Sequence, residues 1–121
     1  MATIRITNLR LQAVIGTNDW ERIKKQNIVI NLAIEYNAAK ASKSDRLQDT
    51  LDYKTIKQEI LALVESSRCY LLEKLGGLIL KTVMTHKKVK AATVRIDKPG
   101  ALRFTDTVSV EMSTGRRLET A

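Results

Sequence analysis

Hydrophobic and polar residues alternate with a period of two over much of the first 36 residues, which predicts two β-strands. The first strand shows a shift in this alternation near Asn8, which indicates a bulge, and it ends at Gly16. Its apolar positions are Ile4, Ile6, Leu9, Leu11 and Ala13. The second strand covers residues 27–36 and places on one face Ile28, Ile30, Leu32, Ile34 and Tyr36. We expect the two strands to pair antiparallel.

The next part of the chain changes from a polar connection to helical periodicity. Residues 37–49 are polar and weakly periodic, which is typical of a surface connection with one helical turn. Apolar stripes then predict a first helix over 53–66, with Asp52 as its N-cap, and a second over 71–86. The stripes consist of Tyr53, Ile56, Ile60, Leu63 and Val64, and of Leu71, Leu75, Leu78, Ile79 and Val83. Because glycine costs about 1 kcal/mol in a helix interior, Gly76-Gly77 indicates close packing.

Alternation returns on both sides of Pro99-Gly100 and predicts a closing pair of strands. The alternating residues are Ala92, Val94, Ile96, Val108, Val110 and Met112. The order β-β-α-α-β-β predicts an α+β fold in which two helices cover one face of a four-stranded antiparallel sheet. The second strand has apolar or small residues on both faces, and an open sheet leaves unpaired edges. We therefore expect oligomerisation through the sheet.

The composition is typical of a single globular domain spanning residues 1–121, with 44% hydrophobic and 28% charged residues. No apolar run is long enough to span a membrane, and the N-terminus lacks the apolar centre of a secretory signal. We expect a soluble, cytoplasmic protein with no membrane partner. The single cysteine and single histidine cannot supply the ligands of a usual zinc site, so we do not expect zinc chemistry.

The chain carries 21 basic and 13 acidic residues, a net charge of +8 that favours an anionic partner. The densest basic cluster is Lys87, Lys88 and Lys90, and the few aromatic residues do not interleave with it. We interpret this cluster as a solvated helix end, where cations meet the negative end of the helix dipole. Nucleic acid is not an expected partner.

Four ionisable residues stand near predicted strand ends and helix starts: Glu21, Tyr53, Glu73 and Lys98. Taken singly, each has an ordinary structural interpretation as a surface carboxylate, a core tyrosine or a loop lysine. Their joint placement within spaced motifs is more specific. These motifs are Asn8-Leu9-Arg10-Leu11 before Ile15-Gly16, Leu51-Asp52-Tyr53, Leu71-Leu72-Glu73-Lys74-Leu75, Ile96-Asp97-Lys98-Pro99-Gly100, and Ala101-Leu102-Arg103-Phe104 before Val108-Ser109.

Over nearly the whole chain, these motifs resemble the family of dihydroneopterin aldolases and dihydroneopterin triphosphate 2'-epimerases. The resemblance implies the tunnelling fold, in which a ring of subunits closes a barrel as a tetramer or stacks as an octamer. It also implies action on a small 7,8-dihydropterin without metal or cofactor. In that chemistry the C1'–C2' bond breaks in a retro-aldol step, and the N5=C6 imine of the substrate accepts the electrons.

The resemblance also implies roles for individual residues. Lys98 corresponds to the catalytic lysine that moves protons directly or through a water, and Glu21 to the carboxylate that pairs with it. Tyr53 corresponds to a tyrosine that a neighbouring subunit contributes near the side-chain diol. Glu73 corresponds to the carboxylate that binds the 2-amino group and ring N–H of the pterin, and it is assigned to substrate binding together with Leu72.

The choice between epimerase and aldolase remains open at the sequence level, although more motifs resemble the epimerases. The Trp20-Glu21 and Lys98-Pro99-Gly100 segments resemble the aldolases, whereas Asn8-Leu9-Arg10-Leu11 and Ala101-Leu102-Arg103-Phe104 resemble the epimerases. Arg103 is assigned to substrate binding because a triphosphate needs cationic partners, the alternative being an intersubunit salt bridge. A catalytically silent pterin-binding module is a third possibility, since a fold does not fix a function.

Overall fold

The computed structural model describes residues 1–116, and it confirms the predicted α+β class. The strands are β1 (Ala2–Ile15), β2 (Gln26–Tyr36), β3 (Arg68–Cys69), β4 (Val89–Pro99) and β5 (Thr107–Gly115). The α-helices are α1 (Ala39–Ser44), α2 (Tyr53–Ser66) and α3 (Leu72–Met84). Two short 3-10 helices cover Asp19–Arg22 and Leu47–Asp49.

The sheet has five strands in the order β3-β1-β2-β4-β5, so the prediction of four strands was wrong by one. The extra strand, β3, runs parallel to β1 and pairs only with Val14 and Ile15. Two residues are too few to show a period in the sequence, which explains why this strand was not predicted. The other neighbouring strands pair antiparallel as expected.

The predicted bulge in β1 is confirmed. The register between β1 and β2 shifts between Ile6 and Leu9, and Asn8 adopts a positive φ of 55°. Asparagine tolerates this left-handed conformation better than most residues. The Asn8 backbone N–H donates to Asn31 Oδ1 at 2.9 Å, which replaces the hydrogen bond that the bulge removes from the ladder.

Helix α2 begins and ends where the sequence predicts. Asp52 caps its N-terminus. The Asp52 side chain accepts hydrogen bonds from the backbone N–H groups of Lys54 at 3.1 Å and Thr55 at 3.3 Å. The helix buries one stripe against the sheet, consisting of Ile56, Ile60 and Val64. The polar connection before α2 holds more helix than the predicted single turn, namely α1 and a 3-10 helix.

Helix α3 packs across β4 and β5. One of its two glycines, Gly76, lies at a close contact between the helix and the sheet. A Cβ atom at Gly76 would lie 2.8 Å from Met112 Sδ and 3.8 Å from Ile96 Cδ1, so this position needs a small residue. At Gly77 a Cβ would meet nothing within 4 Å, so only half of the predicted close packing is correct. Leu71 was placed on the buried stripe, but it precedes the helix and is 54% exposed.

The core lies between the helices and one face of the sheet, which carries the even-numbered apolar residues of β2 and β4. Ile30, Ile34, Val94 and Ile96 are each fully buried there. No helix formed by residues 1–116 covers the opposite face of the sheet, in agreement with the predicted architecture.

The basic cluster of Lys87, Lys88 and Lys90 was interpreted as a solvated helix end, and for Lys88 this interpretation is incomplete. Lys88 Nζ donates to the backbone oxygens of Gln48 and Thr50.

Candidate active site

The centre of the candidate site is an ion pair between Lys98 and Glu21, as the resemblance implied. Lys98 Nζ lies 2.5 Å from Glu21 Oε2, although the two residues are 77 positions apart in the chain. The side chains are only 14% and 7% exposed, so water screens this pair much less than a surface pair. A lysine and a carboxylate held this way can exchange or relay a proton.

Local structure explains how Glu21 comes to face Lys98. Glu21 lies in the 3-10 helix that follows the end of β1, and its Oε1 accepts a hydrogen bond from the Asn18 backbone N–H at 3.0 Å. Gly16 adopts a φ of +125°, and any Cβ there would overlap the Glu21 carboxylate. The turn therefore requires glycine for two reasons, its backbone conformation and the room it leaves for the carboxylate.

Gln26, at the start of β2, also orders the Glu21 carboxylate. Gln26 Nε2 donates to Ile15 O at 2.6 Å and lies 3.3 Å from Glu21 Oε2. The hydrogen bond from Lys98 is the main cause that holds the pKa of the Glu21 carboxyl below its ordinary value, against the opposing effect of burial. Glu21 is therefore a carboxylate at neutral pH.

Glu73 lies at the same end of the sheet as the Lys98–Glu21 pair. It is exposed and lies in the first turn of α3, near the helix start as the sequence predicts. Arg116 donates to the backbone oxygens of both Met84 and Val89, so the C-terminal end of α3 lies at the Val89 end of β4 and its first turn lies toward the Lys98 end. The Leu72 side chain belongs to the hydrophobic core, so only its main chain is available to a ligand.

Tyr53 is not brought to Lys98 within one chain. It is the first residue of α2 and is 52% exposed. Thr50, three residues earlier, accepts a hydrogen bond from Lys88, so Tyr53 lies near the beginning of β4. Lys98 lies at the other end of that strand, about 30 Å away at the usual rise per residue. Arg103 lies in the exposed 100–106 loop and has no ion-pair partner within residues 1–116.

Comparison with known proteins now assigns the family. The sequence model of the family described as dihydroneopterin aldolase matches residues 4–113. The chain belongs to this family. Among residues 1–116 of this family member, no group of three or more His, Cys, Asp or Glu side chains could hold a metal ion. Nor does that described part contain a helix that is long and apolar enough to cross a membrane.

Within the dihydroneopterin aldolase family, the similar curated proteins include epimerases. The dihydroneopterin triphosphate 2'-epimerase of Escherichia coli K12 is 44% identical over 95% of this chain and 96% of its own length. The epimerase of Pseudomonas aeruginosa is 41% identical over 96% and 94%. The crystal structure of E. coli dihydroneopterin aldolase in complex with neopterin superposes with a TM-score of 0.90 at 27% identity, covering 95% of this chain and 100% of that one.

Sequence reasoning missed Arg22, which ties the Glu21 segment to β3. Arg22 Nη1 donates to the backbone oxygens of Gly16 at 3.1 Å and Cys69 at 2.9 Å, and Nη2 donates to Arg68 O at 2.6 Å. The guanidinium also lies 3.8 Å from the centre of the Tyr70 ring. Since all its hydrogen-bond acceptors are backbone carbonyls, no residue pattern in the sequence could have indicated this role.

The pKa of Glu21 leads to a prediction about acid stability. The folded-state pKa lies below the ordinary value of 4.5, so the ionised carboxylate stabilises the fold above pH 4.5 and this contribution is lost as the pH falls. We expect Glu21→Gln to lower the urea midpoint at about pH 7 and to lower it by less at about pH 4. Urea unfolding of the wild type and the variant at fixed protein concentration gives the midpoints at each pH. An equal decrease of the midpoint at the two pH values would contradict the prediction.

Proposed function

We propose that this protein catalyses the 2'-epimerisation of 7,8-dihydroneopterin triphosphate through a retro-aldol and aldol sequence. The observation that carries the proposal is the buried Lys98–Glu21 pair at the strand end. The identity of 41 to 44% to proteins named as triphosphate epimerases supports this choice of reaction. Such a pair supplies a proton donor and acceptor next to one another, which the reaction needs in order to take the proton from the 2'-hydroxyl and to return it.

In the proposed reaction, loss of the 2'-hydroxyl proton to the Lys98–Glu21 pair allows the C1'–C2' bond to break. The bonding electrons move into the N5=C6 imine of the dihydropterin, giving an enamine and an aldehyde that carries the phosphates. The aldehyde turns over, and the enamine attacks its opposite face, which reforms the C1'–C2' bond with C2' inverted. The proton returns to the new 2'-oxygen, so the substrate and product have the same atoms.

Glu73 is proposed to hold the pterin ring during these steps. The exposed carboxylate lies in the first turn of α3, at the same end of the sheet as Lys98. A carboxylate can accept two parallel hydrogen bonds from the 2-amino group and adjacent ring N–H of a pterin. The main chain of Leu72 is proposed to contribute to the same subsite, and Arg103 to contact the charged tail or an acid of a neighbouring subunit.

Dihydroneopterin aldolase activity is the second candidate function. The fold matches that of the E. coli aldolase with a TM-score of 0.90. After the C1'–C2' bond breaks and glycolaldehyde leaves, the same pair can protonate C1' of the enamine to give the hydroxymethyl product. Separate incubations with dihydroneopterin and its triphosphate distinguish the two reactions, since only the aldolase releases an aldehyde while only the epimerase forms the 2'-epimer. A protein that binds both compounds and converts neither would be a pterin-binding module instead.

The proposed site is shared between subunits of a homo-oligomer. Tyr53 lies at the end of the molecule opposite Lys98, so the Tyr53 hydroxyl reaches the substrate diol only if a second subunit supplies it. The uncovered face and free edges of the sheet give that subunit a surface to pair with. We propose a tetrameric ring or an octamer of two rings, which light scattering measures directly.

Mixing two inactive variants tests the shared site. Tyr53→Ala and Lys98→Ala should each have low activity as separate proteins. Co-assembled in equal amounts, they should regain activity at about one quarter of the sites, because random pairing joins an intact Lys98 to an intact Tyr53 at that frequency. Mixtures of Lys98→Ala with Glu21→Gln provide the control, because both changes damage the same subunit's half of the site. No gain in the first mixture would contradict the shared site.

A further inference from the structure

A cleft with unpaired cations lies beside the Lys98–Glu21 pair, on the other side of the strand ends. Its lining includes Arg10 of β1, Lys25 just before β2, and Pro99 at the end of β4. The remaining lining residues are Leu11, Gln12, Asn27, Ile28, Val29 and Glu65. Two lining residues are adjacent in sequence to residues of the candidate site. Lys25 precedes Gln26, which contacts Glu21, and Pro99 follows Lys98.

The cleft lining mixes polar and apolar residues, and the strand alternation determines where its polar side chains point. Ile28 is buried in the core and Leu11 packs against it, so Arg10, Gln12 and Asn27 point to the opposite face of the sheet. Gln12 Nε2 donates to Asn27 Oδ1 at 3.1 Å, which leaves the Asn27 amide nitrogen as a donor. The cleft therefore offers two cations and an amide donor at the end of the sheet where Lys98 lies.

Arg10 and Lys25 line the same cleft, and neither has an acidic partner within residues 1–116. The ion pairs found within residues 1–116 involve Lys40, His86, Arg95 and Lys98, and neither cleft cation. Two cations close together repel each other, so an anion between them is favourable. Among the lining residues found within 1–116, Glu65 alone is acidic, and it offsets part of this charge.

We propose that this cleft binds the triphosphate tail of the substrate, with Arg10 and Lys25 as its phosphate ligands. This inference rests on the proposed function and names the subsite that would distinguish a phosphorylated dihydropterin from the free one. Lys98 is separated from β1 by β2 alone, a span of about 10 Å across neighbouring strands. A triphosphate tail attached beyond C2' of a substrate held at Lys98 therefore reaches Arg10 by passing over the ends of β2 and β4. Arg and Lys are the side chains that bind phosphate oxygens most strongly.

The test compares two double variants that lose the same charge. Arg10→Gln/Lys25→Gln changes the cleft, and Lys57→Gln/Lys81→Gln changes exposed positions on α2 and α3. We expect the cleft variant to lower kcat/KM for the triphosphate by at least about tenfold, and that for dihydroneopterin by less than about twofold. The control variant should change both by less than about twofold, and Arg10→Lys/Lys25→Arg should retain most of the triphosphate preference.

Binding of inorganic tripolyphosphate, measured by calorimetry, makes the test independent of catalysis. The wild-type protein should bind it, the cleft variant should bind it at least about tenfold more weakly, and Glu65→Gln should bind it more tightly. Equal affinity of the wild type and the cleft variant would overturn the proposal. Equal losses for both substrates, or a loss of the same size in the control variant, would also overturn it. Absence of turnover with normal tripolyphosphate binding would count against the proposed function and leave the subsite standing.

Discussion

Lys98→Ala should lower turnover by at least about 100-fold while pterin affinity stays within about tenfold, because it removes a proton-transfer group and leaves the ring anchor in place. Within residues 1–116, Lys98 Nζ is the only cation that pairs with the Glu21 carboxylate. Without it, Glu21 has no acid beside it to pass a proton to or from the substrate. Single-turnover rates at saturating substrate, together with fluorescence titration of a dihydropterin, measure the two quantities separately.

The control for this prediction concerns folding. Removing Lys98 leaves the buried Glu21 charge without its partner, and breaking a buried pair is more destabilising than removing both members. Glu21→Gln/Lys98→Met removes both charges, so it should unfold at higher urea than Lys98→Ala while remaining as inactive. If the double variant recovered activity together with stability, the pair would be structural and the proposed chemistry would be wrong.

The strands β1 and β2 and the helix α2 could be predicted from the sequence because their signals repeat over many residues. The alternation through β2 and the Asp52 cap of α2 each match the structure. The two-residue strand β3 has no such repeat, and Leu71 matched a helical spacing although the helix begins one residue later. Periodicity thus identifies long elements, whereas short ones depend on tertiary contacts that a local pattern does not contain.

The candidate site was predictable to a different extent. No local pattern joins Glu21 to Lys98 across 77 positions, and only the family motifs indicated that pair. The same motifs indicated Tyr53. Only the fold shows that Tyr53 lies near Lys88, just before β4, and that the length of β4 separates it from Lys98. Arg22 was missed because its partners are backbone carbonyls, which every residue possesses.

Glu73→Gln should have the opposite effect to the loss of Lys98. The variant keeps one acceptor oxygen and replaces the other with an amide donor that faces the pterin N–H groups. We expect binding of a dihydropterin to weaken by about 2 to 4 kcal/mol, because a charge-assisted pair of hydrogen bonds is lost. The rate of the bound substrate should change much less than in Lys98→Ala, since the Lys98–Glu21 pair remains intact.

Glu35→Gln is the matched control, because it makes the same chemical change at an exposed carboxylate near the other end of β2. It should leave both affinity and rate within about twofold, as surface substitutions away from a site do. Titration of the variants with a dihydropterin and with guanine, which offers the same 2-amino and ring N–H edge, isolates ring recognition from side-chain contacts. An equal loss of affinity for both ligands in Glu73→Gln, with near-normal turnover at saturation, is the result that an anchoring carboxylate requires. Unchanged affinity for both ligands would show that the first turn of α3 does not hold the ring.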